Sequence, residues 1–163
     1  MGLFLIILVI VIIVAFIYVY KTSKTTVKNA AILLFDNNGK ILLVKNRKTD
    51  KWQTPGGTIE STDPTPLSAA VREFREETDH QLKQYTVLYA YDYDGKITFV
   101  HHDDYDNFNG NQTRLFIIDS NDTIPDNANL VNNEMSERRW FDTKALPEMR
   151  QSDADSLSLI IKS

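Results

Sequence analysis

The sequence predicts a mixed α/β domain carried behind a single N-terminal transmembrane helix, on the strength of three observations. The first is an unbroken apolar run, GLFLIILVIVIIVAFIYVY from Gly2 to Tyr20, close to the roughly 20 residues that a helix needs to cross a bilayer. The second is a set of short runs rich in β-branched and aromatic residues, separated by turn residues, which read as strands. The third is LSAAVREFREET, 67–78, a segment with helical spacing and no glycine.

In the apolar run, Ile, Val, Leu and Phe surround the helix on every side, leaving no polar face with which to lie along a membrane surface. Tyr18 and Tyr20 suit the aromatic belt at one end. A cleaved signal peptide fits less well, because no Lys precedes the run and it ends in FIYVYKTSK rather than in small residues. A buried core helix fits less well again, since soluble domains rarely enclose a helix in hydrocarbon on all sides. Lys21, Lys24 and Lys28 lie just beyond the run, so the positive-inside rule places the C-terminal domain in the cytoplasm. The expectation is a single-pass membrane protein with an anchor at 1–21, a tether at 22–27 and a domain at 28–163.

Within that domain, AAILLF and ILLVKN flank the turn DNNGK and form a hairpin, Asn38-Gly39 suiting a tight turn with positive φ. The loop RKTDKWQTPGG, a short TIE strand and a loop bearing Pro64 and Pro66 lead to the helix at 67–78. QYTVLYAYDYD, ITFV after Asp94-Gly95, TRLFIID and ERRWFD are further strands. The stretch between Ser120 and Asn133 reads as loop, KALPEM as a short helical turn, and DADSLSLIIKS as a terminal helix capped by Ser152 or Asp153.

Composition narrows the chemistry. With 163 residues, no cysteine and a net charge of -4, the chain has no disulfide framework and no thiolate metal site. Any metal must be held by oxygen or histidine, which favours Mg²⁺ or Mn²⁺. No basic stripe runs along the sequence, so long nucleic acids are not expected as partners, whereas single nucleotides are.

On the helix, Glu73, Glu76 and Glu77 stand at i, i+3 and i+4 and share one face. Leu67, Ala70, Val71, Phe74 and Thr78 form another face that would anchor the helix on a sheet, leaving the acids pointing into open space, with Ala69 as the small residue on the acidic side. Three like charges on one face repel, and a cation would relieve them. A plain solvated face with Arg72 paired to Glu76 would look similar. Against that stands Gly56-Gly57 ahead of the helix, where the backbone can approach a ligand with no Cβ between.

The stretch PGGTIESTDPTPLSAAVREFREET resembles the signature of the Nudix hydrolases. Gly57, Arg72, Glu73, Phe74, Glu76 and Glu77 meet that pattern, and ERRWFDTKALP resembles the family's closing strand and turn, so the likeness runs from about Thr26 over nearly all of the chain. The resemblance implies a Nudix-like α/β/α sandwich with a mixed sheet and a metal-dependent pyrophosphohydrolase. It implies Gly56 (through its carbonyl), Glu76 and Glu77 as metal ligands, Glu73 as a ligand or the base, Arg72 as the residue that orients the glutamates, and an acid from a later loop, with Asp103, Asp104, Asp106 and Glu134 as candidates. It implies water attack on a phosphorus of a nucleoside diphosphate linked to another moiety, with bound Mg²⁺ (Mn²⁺ as the alternative) acidifying the water and stabilising the leaving group.

The chain departs from the family pattern at two places. Asp63 replaces the first Glu, eight rather than seven residues before Arg72, so that either the loop is one residue longer or Pro64 fills the Glu slot; the family's loop-fixing salt bridge is the feature at stake. Asp79 replaces the closing glycine, and His80 stands where an apolar residue is usual. These changes are the only support for an alternative, a catalytically weak nucleotide-sensing module. Other features read as structural. His101 and His102 are adjacent and would point to opposite faces of a strand; Trp52 and Trp140 suit core or lid positions; and in YAYDYD, Tyr89, Tyr91 and Tyr93 would pack inward with Asp92 in water.

Overall fold

The computed structural model describes residues 26–110, 112–130 and 132–162. The apolar run and most of the tether lie outside these residues, and no described helix is long and apolar enough to cross a membrane. The described residues form eight strands and two α-helices: β1 (Asn29–Leu34), β2 (Lys40–Asn46), β3 (Trp52–Gln53), β4 (Gly56–Thr58), α1 (Pro66–Thr78), β5 (Tyr85–Tyr93), β6 (Ile97–Val100), β7 (Thr113–Ser120), β8 (Met135–Asp142) and α2 (Gln151–Lys162). The strands make a mixed five-stranded sheet in the order β4-β1-β7-β5-β6 and a three-stranded sheet in the order β3-β2-β8.

Strand β1 is buried on both faces because other elements cover it from opposite sides. Ala30, Ile32 and Leu34 join Phe74, Ala69 and Ala70 of α1, whereas Ala31 and Leu33 join Ile41 and Leu43 of β2 and Leu157 of α2. The expected sandwich is therefore present, with β1 parallel to β7 and antiparallel to β4. The hairpin expected of β1 and β2 is not a ladder: the two strands join different sheets, β1 pairing with β7 and β4 and β2 with β8 and β3, and a single bridge between Phe35 and Ile41 links them. The turn itself forms at Gly39, whose φ of 75° favours a residue without Cβ, and the Asp36 carboxylate accepts from the Asn38 and Lys40 amides to close it.

Helix α1 begins on a reciprocal cap. The Thr65 hydroxyl accepts from the Ser68 amide at 3.1 Å, the Ser68 hydroxyl accepts from the Thr65 amide at 3.0 Å, and Pro66 occupies the first turn.

Several expectations need correction. The short strand expected at TIE lies two residues earlier, at β4, because its partners are Asn29 to Ala31. Trp52–Gln53, expected in a loop, is a strand, since β2 offers it a pairing edge. KALPEM, expected as a short helical turn, is irregular beyond a turn at 142–145 that the Ala145 amide closes on the Asp142 carbonyl. The terminal helix starts at Gln151, ahead of both expected caps, with the Arg150 carbonyl accepting from the Asp153 and Ala154 amides.

The largest correction concerns Asp92. It is buried, not in water, because Arg114 stands directly opposite on β7. The Arg114 guanidinium grips the carboxylate from Nε at 2.9 Å and Nη2 at 3.2 Å, and donates to the carbonyls of Asp104, Tyr105, Asn107 and Asn109. Tyr89, expected inside, is exposed instead. The strand bulges between Val87 and Tyr89, and the bulge resets which side chains turn inward.

Removing Arg114 takes from the buried Asp92 carboxylate its guanidinium partner and from four carbonyls their donor. Arg114→Met is therefore expected to lower the unfolding free energy by about 3–5 kcal/mol in urea denaturation. A loss below about 1 kcal/mol, the range of exposed pairs, would show that the fold does not depend on this pair.

Candidate functional site

Four segments distant in sequence meet around one open cleft of about 660 Å³: the Gly56-Gly57 corner, the acidic face of α1, the loop that precedes β8, and Arg150 ahead of α2. The glycine pair is required by close approach. A Cβ on Gly56 would lie 2.5 Å from the Ala31 Cα, and one on Gly57 would lie 2.6 Å from the Glu73 carboxyl carbon. The corner thus packs directly on β1 and on Glu73, with no space for a side chain.

The three helix acids share a face as expected, but they do not share an environment. Glu76 is half exposed. Glu77 is only 4% exposed, which corrects the expectation that all three face open space: the β4 backbone lies against it. Its carboxylate accepts from the Gly56 amide at 2.8 Å and from Gln53 Nε2 at 3.2 Å. Burial pushes its pKa up to about 8, the charges of Glu73 and Glu134 push the same way, and only the Gly56 amide and Arg150 work in the other direction. Burial likewise raises Glu73, opposed by Arg72.

Arg72 uses its whole guanidinium. Nε and Nη2 hold Asp63 at 3.1 and 2.9 Å, Nη1 reaches Glu73 at 2.8 Å and Glu76 at 3.2 Å, and Nη2 also donates to the Thr58 carbonyl. The loop-fixing bridge is therefore made by Asp63 itself, one residue further from Arg72 and one methylene shorter than the usual Glu. Arg72 holds the Asp63 carboxyl below the usual carboxylate range. Asp79 adopts the left-handed conformation that glycine usually supplies, with φ 54°, and Arg138 Nη1 donates to the Thr78 carbonyl to close the end of α1.

Of the four later acids, only Glu134 lines the cleft. Asp103 and Asp104 sit in a 3-10 turn, with Asp106 just after it, in the segment that Arg114 gathers. His101 and His102 lie in that same exposed segment, away from the cleft. Trp52 is buried, edge-on to Phe141 at 4.6 Å between centroids, and Trp140 donates from its indole to the Ile124 carbonyl, so both are structural.

Sequence reasoning missed Gln53, Asn132 and Arg150. Each acts through a partner remote in sequence or in backbone geometry, and none belongs to a motif. Asp153, expected as a possible cap, is buried and accepts from the Thr54 amide and hydroxyl and from Arg150 Nε.

Among the described residues no three acids or histidines stand at metal-ligand spacing, because Glu73 and Glu76 turn to Arg72 and Glu77 turns to Gly56. The donor set still fits a hard divalent cation: five carboxylates, those of Glu60, Glu73, Glu76, Glu77 and Glu134, line one cleft with too little positive charge to satisfy the buried one.

A folded-state pKa raised from 4.5 to about 8 means that the fold favours protonated Glu77. That contribution is complete below about 4.5 and is lost as pH rises through about 8. In EDTA, the thermal midpoint is expected to fall across this window. Mg²⁺ or Glu77→Gln should flatten the fall, since neither leaves the charge uncompensated. An equally steep profile in Glu77→Gln would contradict the assignment.

Comparison with known proteins identifies the family. The mRNA-decapping enzyme subunit 2 of Saccharomyces cerevisiae is 28% identical over 126 residues, 77% of this chain and 12% of that protein. The chain thus spans about an eighth of that relative's length. An RNA pyrophosphohydrolase of Halorhodospira halophila is 39% identical over 49 residues, 30% of this chain and 26% of the relative. Among solved structures, a Nudix hydrolase from M. smegmatis superimposes with a TM-score of 0.61 at 18% identity, covering 84% of each chain. An ADP-ribose pyrophosphatase from Streptococcus suis does so with 0.56 at 19% identity, covering 85% of this chain and 91% of that one. The family model of the NUDIX domain matches residues 25–160, and the chain therefore belongs to the Nudix family.

Proposed function

We propose that this chain is a divalent-cation-dependent hydrolase that cleaves a pyrophosphate bond in a nucleoside diphosphate linked to another moiety. It works at the cytoplasmic face of a membrane, to which the run Gly2–Tyr20 anchors it. The observation that carries the reading is the meeting of Glu73, Glu76, Glu77 and Glu134 around one cleft beside the bare Gly56-Gly57 backbone.

Glu76, Glu77, Glu73 and the Gly56 carbonyl would hold Mg²⁺ or Mn²⁺, with Glu134 completing the set. When bound, the cation would lower the pKa of water and neutralise phosphate oxygens. The chain's own residues do the rest. The glycine pair brings its backbone against Glu73 at the cleft wall, and Arg150, more than half exposed and tied to Asp153 through Nε, offers its outer nitrogens to phosphate oxygens. Arg72 fixes Glu73 and Glu76 and, through Asp63, the loop ahead of the helix. Glu73 or Glu134 takes the proton of the attacking water.

The sensor alternative loses its support, because Asp63 makes the bridge to Arg72 and Asp79 takes the left-handed turn. Two relatives are named for action on RNA, but the net charge of -4 and the lack of a basic stripe favour a small nucleotide here.

The test is to assay the full-length chain in detergent against nucleoside triphosphates, nucleotide sugars, dinucleoside polyphosphates and a 5′-triphosphorylated RNA, with Mg²⁺, Mn²⁺ or EDTA. Cation-dependent release from a small nucleotide, reduced about 10²-fold or more in Glu76→Gln, is expected. Unchanged turnover in that variant would remove the proposed site. In cell fractionation the chain should sediment with membranes, and deletion of residues 2–20 should release it; sedimentation that survives the deletion would refute the anchor.

A further inference from the structure

Asn132 belongs to no motif, yet it joins the two halves of the cleft. Its side-chain amide donates to the backbone carbonyls of Glu76 and Glu77, each at 3.2 Å. Its side-chain oxygen accepts from the backbone amides of Glu134 at 3.1 Å and Met135 at 2.5 Å. The carbonyls of the last turn of a helix have no partner within the helix. Asn132 therefore fills two of those acceptors, at two of the three residues that carry the helix acids, and with its other end fixes the acid that comes from elsewhere.

The arrangement needs such a tie. Glu134 is exposed, lies in an irregular segment, and adds negative charge beside Glu73 and Glu77, which repel it. The Arg47 amide donates to the Glu134 carbonyl at 2.8 Å and ties it to the β2 side; the tie toward α1 comes from Asn132. Arg47 braces the same segment from behind, donating through Nη2 to the carbonyls of Leu130 at 3.1 Å and Met135 at 2.9 Å, but its hydrogen bonds do not reach α1. Met135 is buried, which pins the far side of Glu134 and leaves Asn132 to set the near side.

We infer that Asn132 is a positioning residue, whose side-chain amide and oxygen lock Glu134 against the glutamate face of α1. The inference rests on the hydrolase reading for its effect on turnover, but its effect on cation binding stands apart from that reading. Asn132 works through Glu134 and through the backbone of Glu76 and Glu77, not by contact with substrate or cation.

A double-mutant cycle on the full-length chain tests this. Asn132→Ala, Glu134→Gln and the double variant are compared for hydrolysis rate and for the Mg²⁺ concentration that half-completes the thermal shift. Asn132→Ala is expected to lower turnover and weaken Mg²⁺ by about tenfold or more, and to add less than about twofold once Glu134 is Gln, because residues acting through one another are not additive. If the Ala variant does not fold, Asn132→Ser serves instead: its hydroxyl keeps an acceptor for the amides that follow, adds no charge, and is too short to donate to the helix carbonyls. Losses of the same size in both backgrounds, or a lower melting point with Mg²⁺ response unchanged, would overturn the inference. If the unmodified chain hydrolyses nothing, the functional reading fails while the Mg²⁺ cycle still decides the role of Asn132.

Discussion

The Glu77 carboxylate lies under the Gly56-Gly57 corner, out of reach of most solvent and within reach of two other acids. A buried carboxylate is tolerated only when donors satisfy it or a proton or cation neutralises it. The Gly56 amide and Gln53 provide donors, but neither carries charge. The surrounding features answer this one constraint. The corner must be glycine so that an amide can come close; α1 must dock on β1 and β4 through Ala69, Ala70 and Phe74; and the raised pKa marks a carboxylate whose charge, once ionised, its surroundings do not compensate.

Arg72 answers the same problem from the solvent side. Its five donors divide among Asp63, Glu73, Glu76 and the Thr58 carbonyl. One side chain thereby sets the spacing between the loop ahead of the helix and the acids on it. The fork of a guanidinium suits this task where a lysine ammonium would not. Further along the sheet Arg114 does comparable work for a loop, gathering four carbonyls and Asp92 in the interior. Both cases use a planar cation to organise irregular backbone that no regular ladder could satisfy.

Much of this was legible in the sequence, and the limits of legibility have physical causes. Local patterns carried the turn at Gly39, the extent of α1 within one residue, and the clustering of Glu73, Glu76 and Glu77, because each depends on periods of two or 3.6 residues and on turn chemistry; that β1 and β2 part into different sheets was not legible, since it depends on their distant partners β7 and β8. The burial of Asp92 was not legible, since it depends on Arg114 lying opposite, 22 positions later in the chain. The early start of α2 was hidden because Arg150 supplies a backbone cap while Asp153, the residue that looks like a cap, is used to hold Thr54. The four later acids could not be separated by sequence, as all sit in irregular segments; only the pairing of β8 with β2 brings Glu134 to the cleft. Asp63 illustrates the opposite case: a one-residue longer loop offsets a shorter side chain, and the bridge to Arg72 survives a change that the linear pattern scores as a loss.

That the crowded carboxylates around Glu77 form one divalent-cation site can be tested without any substrate by titrating Mn²⁺ into the full-length chain and following free Mn²⁺ by electron paramagnetic resonance. Saturable binding is expected that Mg²⁺ displaces and that Glu77→Gln weakens by about tenfold or more. Binding of equal strength in Glu77→Gln would contradict it, and would place any bound cation away from the acidic face of α1.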